Sequence, residues 1–512
     1  MLLSSGRRFV IALVALVATS GALAALAGSA GAAATSFDRR QTILFDGQPT
    51  FPLVLSPGPP LSGKTPWGTD ALAETASAGV NVYRTGSGGI WTPADISTAL
   101  AWDRAATALG VYTWPNLGGY SQALPGTSQD DGLAQVVDTL TNDPSGSAIA
   151  MWKGRDEPWY SDIAPSALQF AYCRVTGRGD PSWCDGESPL DPSRLWVTIE
   201  APRGTAADLA PYSSVTDVHG VDIYPVTVKH QTSPNLQAVG NWTATLASIA
   251  PLQPVWTTIQ ICASGSWDPA TGDYVLPTYQ QERYMVYDAI LNGAKALTFY
   301  GGNNTHCFSG SDATYSWNWS FWQSVLEPLV KQLSATSSLA PALVNAAKAP
   351  HVTTGGPGTE AMVRQGTSVD DLWVIAARSA AGTRTVTFKG LPHWVHRGGV
   401  YTENRTVIAS KGSFRDRFAR WDVHVYHFVE PLILRTVAPA KARVGARVTL
   451  LGKGLAAATD VSFGGVDAHF RIVNDSKLTA TVPQRAKSGP IFVTSALKQV
   501  KSRTSFRVLA AG

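Results

Sequence analysis

The chain has 512 residues, 44% of them hydrophobic and 15% charged, with a net charge of +4. That length exceeds what one hydrophobic core organises and predicts about two to four domains. A charge this close to neutral, falling to +2 without Arg7 and Arg8, implies no polyanion partner, and nucleic acid is not expected.

Arg7 and Arg8 precede an apolar run from Phe9 to Leu26, and Ala30-Gly31-Ala32 and Ala32-Ala33-Ala34 follow as cleavage candidates. The run is long enough to cross a bilayer. The alanine-rich exit and the lack of a later apolar span instead predict a signal peptide over residues 1–34. Its removal would leave a secreted, extracellular chain without a stable membrane span. Arg7-Arg8-Phe9 suggests twin-arginine export.

Thr42 to Leu53 then predicts a hairpin turned on Asp46-Gly47. Strand-like apolar runs follow at Phe51–Leu55, Val80–Arg84, Val111–Trp114, Ala148–Trp152, Leu195–Glu200, Val218–Tyr224, Val255–Ile261 and Ala296–Tyr300. Helix-like stretches lie between them at Thr69–Ala78, Pro93–Leu109, Asp131–Leu140, Ala164–Tyr172, Thr205–Leu209, Leu236–Ile249 and Tyr279–Asn292. Gly79, Gly110 and Gly293 suit helix C-caps. Eight strands alternating with helices predict a (β/α)8 barrel over residues 35–336 rather than an open sheet, which would want a glycine-rich phosphate turn that is not present.

From about Leu339 the helices stop. Runs at Leu372–Ala377, Thr383–Phe388, Gly399–Thr402 and Val423–Phe428 predict a small β-sandwich over residues 337–431 packed on the barrel. Ala442–Leu451, Thr459–Phe463, Ala468–Val473, Leu478–Val482 and Gly489–Thr494 predict a second all-β unit over residues 432–512.

The four cysteines are Cys173, Cys184, Cys262 and Cys307, an even number in an exported chain. Cys173 with Cys184 closes a short turn-rich loop and is the economical pairing. Cys262 and Cys307 then remain, just past the seventh and eighth strands on neighbouring barrel loops. The spacing lacks a C-x-x-C pair, so neither a metal nor another cofactor is expected.

The most informative segment is Met151-Trp-Lys-Gly-Arg-Asp156-Glu157-Pro158-Trp159, which sets two adjacent carboxylates at the tip of the fourth strand. In a barrel that tip faces the active site. Glu157 is the candidate acid, desolvated beside Trp152 or Trp159. Asp156 is expected to orient it or to hydrogen-bond a substrate hydroxyl. The second carboxylate is Asp222 on strand six or Glu200 on strand five, with Asp222 favoured because Asp222-Ile-Tyr224-Pro225 sets an acid beside an aromatic. Arg84, Trp114, Asn116, Trp152, Glu200, Tyr224, Gln260 and Tyr300 are the candidate substrate contacts. His219 alternates to the outer face, and Trp317, Trp319 and Trp322 are expected to pack under the last helix.

On these residues the first 330 positions resemble a clan A-type glycoside hydrolase barrel. The resemblance rests on the Asp46-Gly47 hairpin, Asp156-Glu157-Pro158, Gly220-Val-Asp222-Ile-Tyr224-Pro225 and Gly293-Ala-Lys-Ala-Leu-Thr-Phe-Tyr300. Gly412-Ser-Phe414 to Phe418 and Val423-His-Val-Tyr426 resemble the small β domain that packs behind such barrels. Val448 to Leu455, Val461-Ser-Phe463-Gly-Gly465 and Leu478 to Pro483 resemble an IPT/TIG module, an immunoglobulin-like fold.

The resemblance implies hydrolysis of O-glycosidic bonds in a poly- or oligosaccharide. Retaining members carry an acid/base Glu on strand four, usually after an Asn, and a nucleophilic Glu at the end of strand seven. Here Asp156 and Gln260 occupy the Asn and nucleophile positions, and an amide cannot act as a carboxylate nucleophile. The alternative is a non-catalytic carbohydrate-binding or adhesion protein on a degenerate barrel. The C-terminal module would add cell-surface or protein contacts.

Overall fold

The structure, a computed structural model, describes residues 34–227, 234–264, 274–345 and 347–510. The expected signal segment, except Ala34, lies outside the described residues.

Eight parallel strands form one sheet: β1 (Leu53–Ser56), β2 (Val82–Thr85), β3 (Tyr112–Pro115), β4 (Met151–Asp156), β5 (Leu195–Glu200), β6 (Val218–Ile223), β7 (Val255–Gln260) and β8 (Ala294–Tyr300). Their order is β3-β2-β1-β8-β7-β6-β5-β4. Parallel bridges Thr113–Ile149 and Asn116–Lys153 join its two edges and close the barrel. The expected fourth strand, Ala148–Trp152, is displaced towards Asp156 because a bulge after Lys153 keeps the chain paired with β5.

Helix ends follow local chemistry. Thr92 and Asp95 form a reciprocal capping box with Pro93 at the first helical position, and Gly110 closes that helix in the left-handed conformation. Side chains alternate along the strands up to the bulge in β4, so Val54, Val82, Trp114, Met151, Val197, Trp256 and Ala296 fill the barrel interior. The opposite faces pack under the helices.

Behind the barrel a five-stranded sheet and a three-stranded sheet enclose Val374, Phe388, Phe414, Tyr426 and Phe428. Strand Asp371–Arg378 is buried along its whole length. Leu372, Val374 and Ala376 face this sandwich core, whereas Trp373, Ile375 and Ala377 join the barrel core. A strand covered on both sides therefore cements the two units, and Arg283 donates to the Val423 carbonyl beside it. Residues 433–509 form two four-stranded antiparallel sheets and one parallel strand pair around Val448, Leu450, Val461, Phe463, Leu478 and Val493.

Disulfides link Cys173 with Cys184 and Cys262 with Cys307. The second ties the loop after β7 to the loop after β8. Among the described residues, no helix is long and apolar enough to cross a membrane.

Candidate active site

The site grows from the bulge in β4. Gly154 is required there, because a Cβ would lie 2.1 Å from Trp196 Nε1. The bulge places both Lys153 and Asp156 on the interior face, where Lys153 Nζ lies 2.5 Å from Asp156 Oδ1. Lys153 is 4% exposed and also sits 5.9 Å over the Trp114 ring. Asp156 opens to the cleft, its side chain 64% exposed. Desolvation in the concave site works against its charge, but Lys153, Arg84 and Arg155 outweigh it and hold the carboxyl below its ordinary range.

Glu157 follows in a left-handed conformation, φ +47°, which costs about 1–2 kcal/mol for a residue with a side chain. Its N–H is fixed by the Ile199 carbonyl at 2.7 Å. The turn directs its carboxyl towards Asp222, which β6 presents on the interior face together with Gly220. The two carboxyls line one cavity and act on each other's ionisation. Asp222 Oδ2 also accepts the Tyr224 hydroxyl at 3.2 Å, and Oδ1 meets no protein N–H or hydroxyl among the described residues.

Desolvation and the Asp156 charge raise Glu157, an effect that Asp222 partly offsets. Desolvation and then the Glu157 and Asp156 charges raise Asp222 well above its ordinary range, so neighbouring carboxyls oppose its ionisation.

Tyr300 stacks on Tyr224 with ring centroids 5.8 Å apart, and desolvation raises both phenols so that they stay neutral. Arg84 donates through Nε to Ser56 Oγ at 2.6 Å and faces the same space. Ser56, Arg84, Trp114, Lys153, Thr258 and Tyr300 thus surround the carboxyls in a cavity of about 230 Å³. It opens into a cleft of about 680 Å³ bounded by Tyr160, Arg203, Tyr224, Asn235 and Trp242.

Four expected contacts lie elsewhere. Trp152 alternates to the outer face, where its Nε1 donates to Asp191 at 2.8 Å; Lys153 takes the interior position. Glu200 also faces outward, one residue past interior Ile199, and is fully buried with Oε1 3.9 Å from His219 Nε2. It accepts Trp159 N–H at 3.4 Å, behind the Glu157 turn rather than in the cleft.

Asn116 folds onto its own turn, accepting Gly118 N–H at 3.0 Å. Gln260 is fully buried and grips the Val226 backbone with both ends of its amide, each at 2.8 Å. Trp317, Trp319 and Trp322 are all buried in the core.

Lys153, Thr258, Tyr160, Arg203 and Trp242 were not foreseen. Strand alternation from Met151 could have found Lys153, and Thr258 shares the parity of Trp256. The other three depend on loop paths that carry no periodic signal.

The geometry is that of a barrel with carboxyls gathered at the C-terminal ends of its strands. No protein-family model matches the chain, and no curated protein matches it in sequence. In structure it is similar to a solved glycoside hydrolase, with TM-score 0.51 and 13% identity over 78% of this chain and 97% of that one. A family 5 glycoside hydrolase from Bacteroides vulgatus aligns at TM-score 0.49 and 12% identity, covering 78% of this chain and 93% of that one. A GH30 endoxylanase from Clostridium papyrosolvens aligns at TM-score 0.42 and 11% identity, covering 78% and 98%. The first likeness defines the fold: a glycoside hydrolase-type barrel carrying all-β units behind it.

Proposed function

We propose that the protein is a secreted glycoside hydrolase that cleaves O-glycosidic bonds of a poly- or oligosaccharide. The observation that carries this reading is that Glu157, Asp156 and Asp222 line one cavity at the mouth of the barrel, with the carboxyls of Glu157 and Asp222 raised. Glycosidic cleavage needs one carboxylic acid for the leaving oxygen and a second group for the oxocarbenium-like centre. In this reading Glu157 protonates the leaving oxygen and Asp222 meets the anomeric carbon.

Asp156, kept ionised by Lys153, stabilises developing positive charge and holds the proton on its neighbour. Tyr224 fixes the orientation of Asp222. Arg84, Trp114 and Tyr300 are the substrate contacts of this reading.

Retaining enzymes hold their carboxyls about 5–5.5 Å apart, and inverting enzymes about 6.5–9.5 Å apart to admit a water. Carboxyls near enough to influence each other's ionisation fit the shorter range, and a covalent intermediate on Asp222 is the route of this reading. Glu157→Gln and Asp222→Asn, assayed for reducing-end release from a polysaccharide panel, test the assignment.

Gln260 favours a second reading, a carbohydrate-binding protein without turnover. Its amide occupies the expected nucleophile position and is committed to Val226. Glycan binding by wild type without any product would select that reading.

The domain limits 35–336, 337–431 and 432–512, the leader before them, and the IPT/TIG character of the last unit belong to the same proposal. The turn motifs Gly452-Lys-Gly454 and Gly464-Gly465 support the last of these. Such a unit would supply cell-surface or protein contacts rather than chemistry.

A further inference from the structure

Lys153 and Asp156 form an ion pair in the inner cavity. The cleft also holds two guanidinium groups, Arg84 lining the inner cavity and Arg203 the outer cleft. The Arg84 charge acts on Asp156 and the Arg203 charge on Glu157, without an ion pair in either case among the described residues.

Among the described residues, Arg84 donates through Nε only, to the Ser56 hydroxyl. Arg203 forms no ion pair and donates no side-chain hydrogen bond among the described residues. Its guanidinium instead lies over the Tyr160 ring, 4.6 Å from the centroid. Stacking of that kind restrains a planar cation while leaving its edge donors available. Trp242 and Asn235 line the same cleft, offering a ring face for a sugar and an amide for its hydroxyls.

A neutral polysaccharide would offer such a guanidinium no opposite charge to bind, whereas a planar carboxylate matches its fork bidentately. We infer that Tyr160, Arg203, Asn235 and Trp242 form a subsite for a sugar bearing a carboxylate, so that the substrate class is a uronate-containing glycan. This inference rests on the glycosidase reading for turnover but not for binding.

The test is calorimetric binding of oligogalacturonate, alginate and glucuronoxylan oligosaccharides to the full chain, each compared with its carboxyl-reduced form. Product release is followed in parallel. At least one acidic oligosaccharide should bind about 10-fold or more tightly than its reduced counterpart, the scale of a hydrogen bond to a charged group. Arg203→Met should abolish that difference, and Arg203→Lys, a point charge without the fork, should restore part of it.

Equal binding of acidic and reduced forms by wild type would overturn the inference. So would a preference that survives Arg203→Met, or selective binding of a sulfated carrageenan oligosaccharide with none for carboxylates. Carboxylate preference without product would refute the glycosidase reading and leave the subsite standing. Product from neutral glycans without preference would do the reverse.

Discussion

Replacing Gln260 by Glu restores the residue type that a retaining barrel carries at this position, yet the structure predicts harm rather than activation. The Gln260 amide donates to the Val226 carbonyl and accepts from the Val226 N–H, both at 2.8 Å and out of contact with water. An ionised glutamate would set a carboxylate oxygen against the Val226 carbonyl oxygen. A protonated one could donate there and keep both contacts.

The folded state therefore holds the proton, and the folded pKa rises above the unfolded value of about 4.3. Below that value the proton is bound in both states and the substitution costs little. Above it, stability falls by about 1.4 kcal/mol per pH unit while the folded state stays protonated, reaching roughly 4 kcal/mol by pH 7.

Urea unfolding of wild type and variant at pH 4, 5, 6 and 7 reads this directly as a difference that widens with pH. Turnover should not increase at any pH. A pH-independent difference, or a gain of glycosidase activity, would refute the assignment of Gln260 to the Val226 loop.

Three further outcomes follow from other parts of the molecule. Burial raises the Asp103 carboxyl to about 7, with Thr113 donating to one oxygen and no partner for the other among the described residues. A raised folded pKa makes this group erode stability from about pH 4 up to pH 7. Asp103→Asn should therefore flatten that part of the stability–pH profile and gain up to about 4 kcal/mol at pH 8, measured by urea unfolding. The newly released sugar should keep the anomeric configuration of the bond cleaved, as proton NMR at the first minutes of reaction would record; inversion would show that Asp222 activates water instead. Replacing Cys262 and Cys307 together by Ser should lower stability by about 2–4 kcal/mol, read as a reduced denaturation midpoint.

The barrel was legible because it is periodic. Each apolar run ends at a turn signal, and alternation along β6 fixes Asp222 on the interior face and His219 outside it. The same rule misled at strand ends. Glu200 belongs by charge to a cleft but by parity to the outer layer, and parity prevails because Ile199 already fills the interior position.

At β4 the alternation itself is interrupted. Gly154 permits a bulge that brings Lys153 and Asp156 to one face, a pairing that uninterrupted strand geometry forbids. Gln260 has interior parity, yet the path of the Val226 loop covers it. Arg203 and Tyr160 meet through two loops whose conformations are set by tertiary packing rather than by local pattern.

The central claim is that Glu157 acts as the acid of a glycosidase with Asp222 as its partner carboxyl. The most direct measurement is hydrolysis of a polysaccharide panel by wild type and Glu157→Gln at equal concentrations, with glycan binding followed on the same samples. The account predicts turnover by wild type, a loss of about 10²–10⁴-fold in the variant, and glycan binding retained by both. Full activity in Glu157→Gln, or glycan binding by wild type with no product at all, would contradict it.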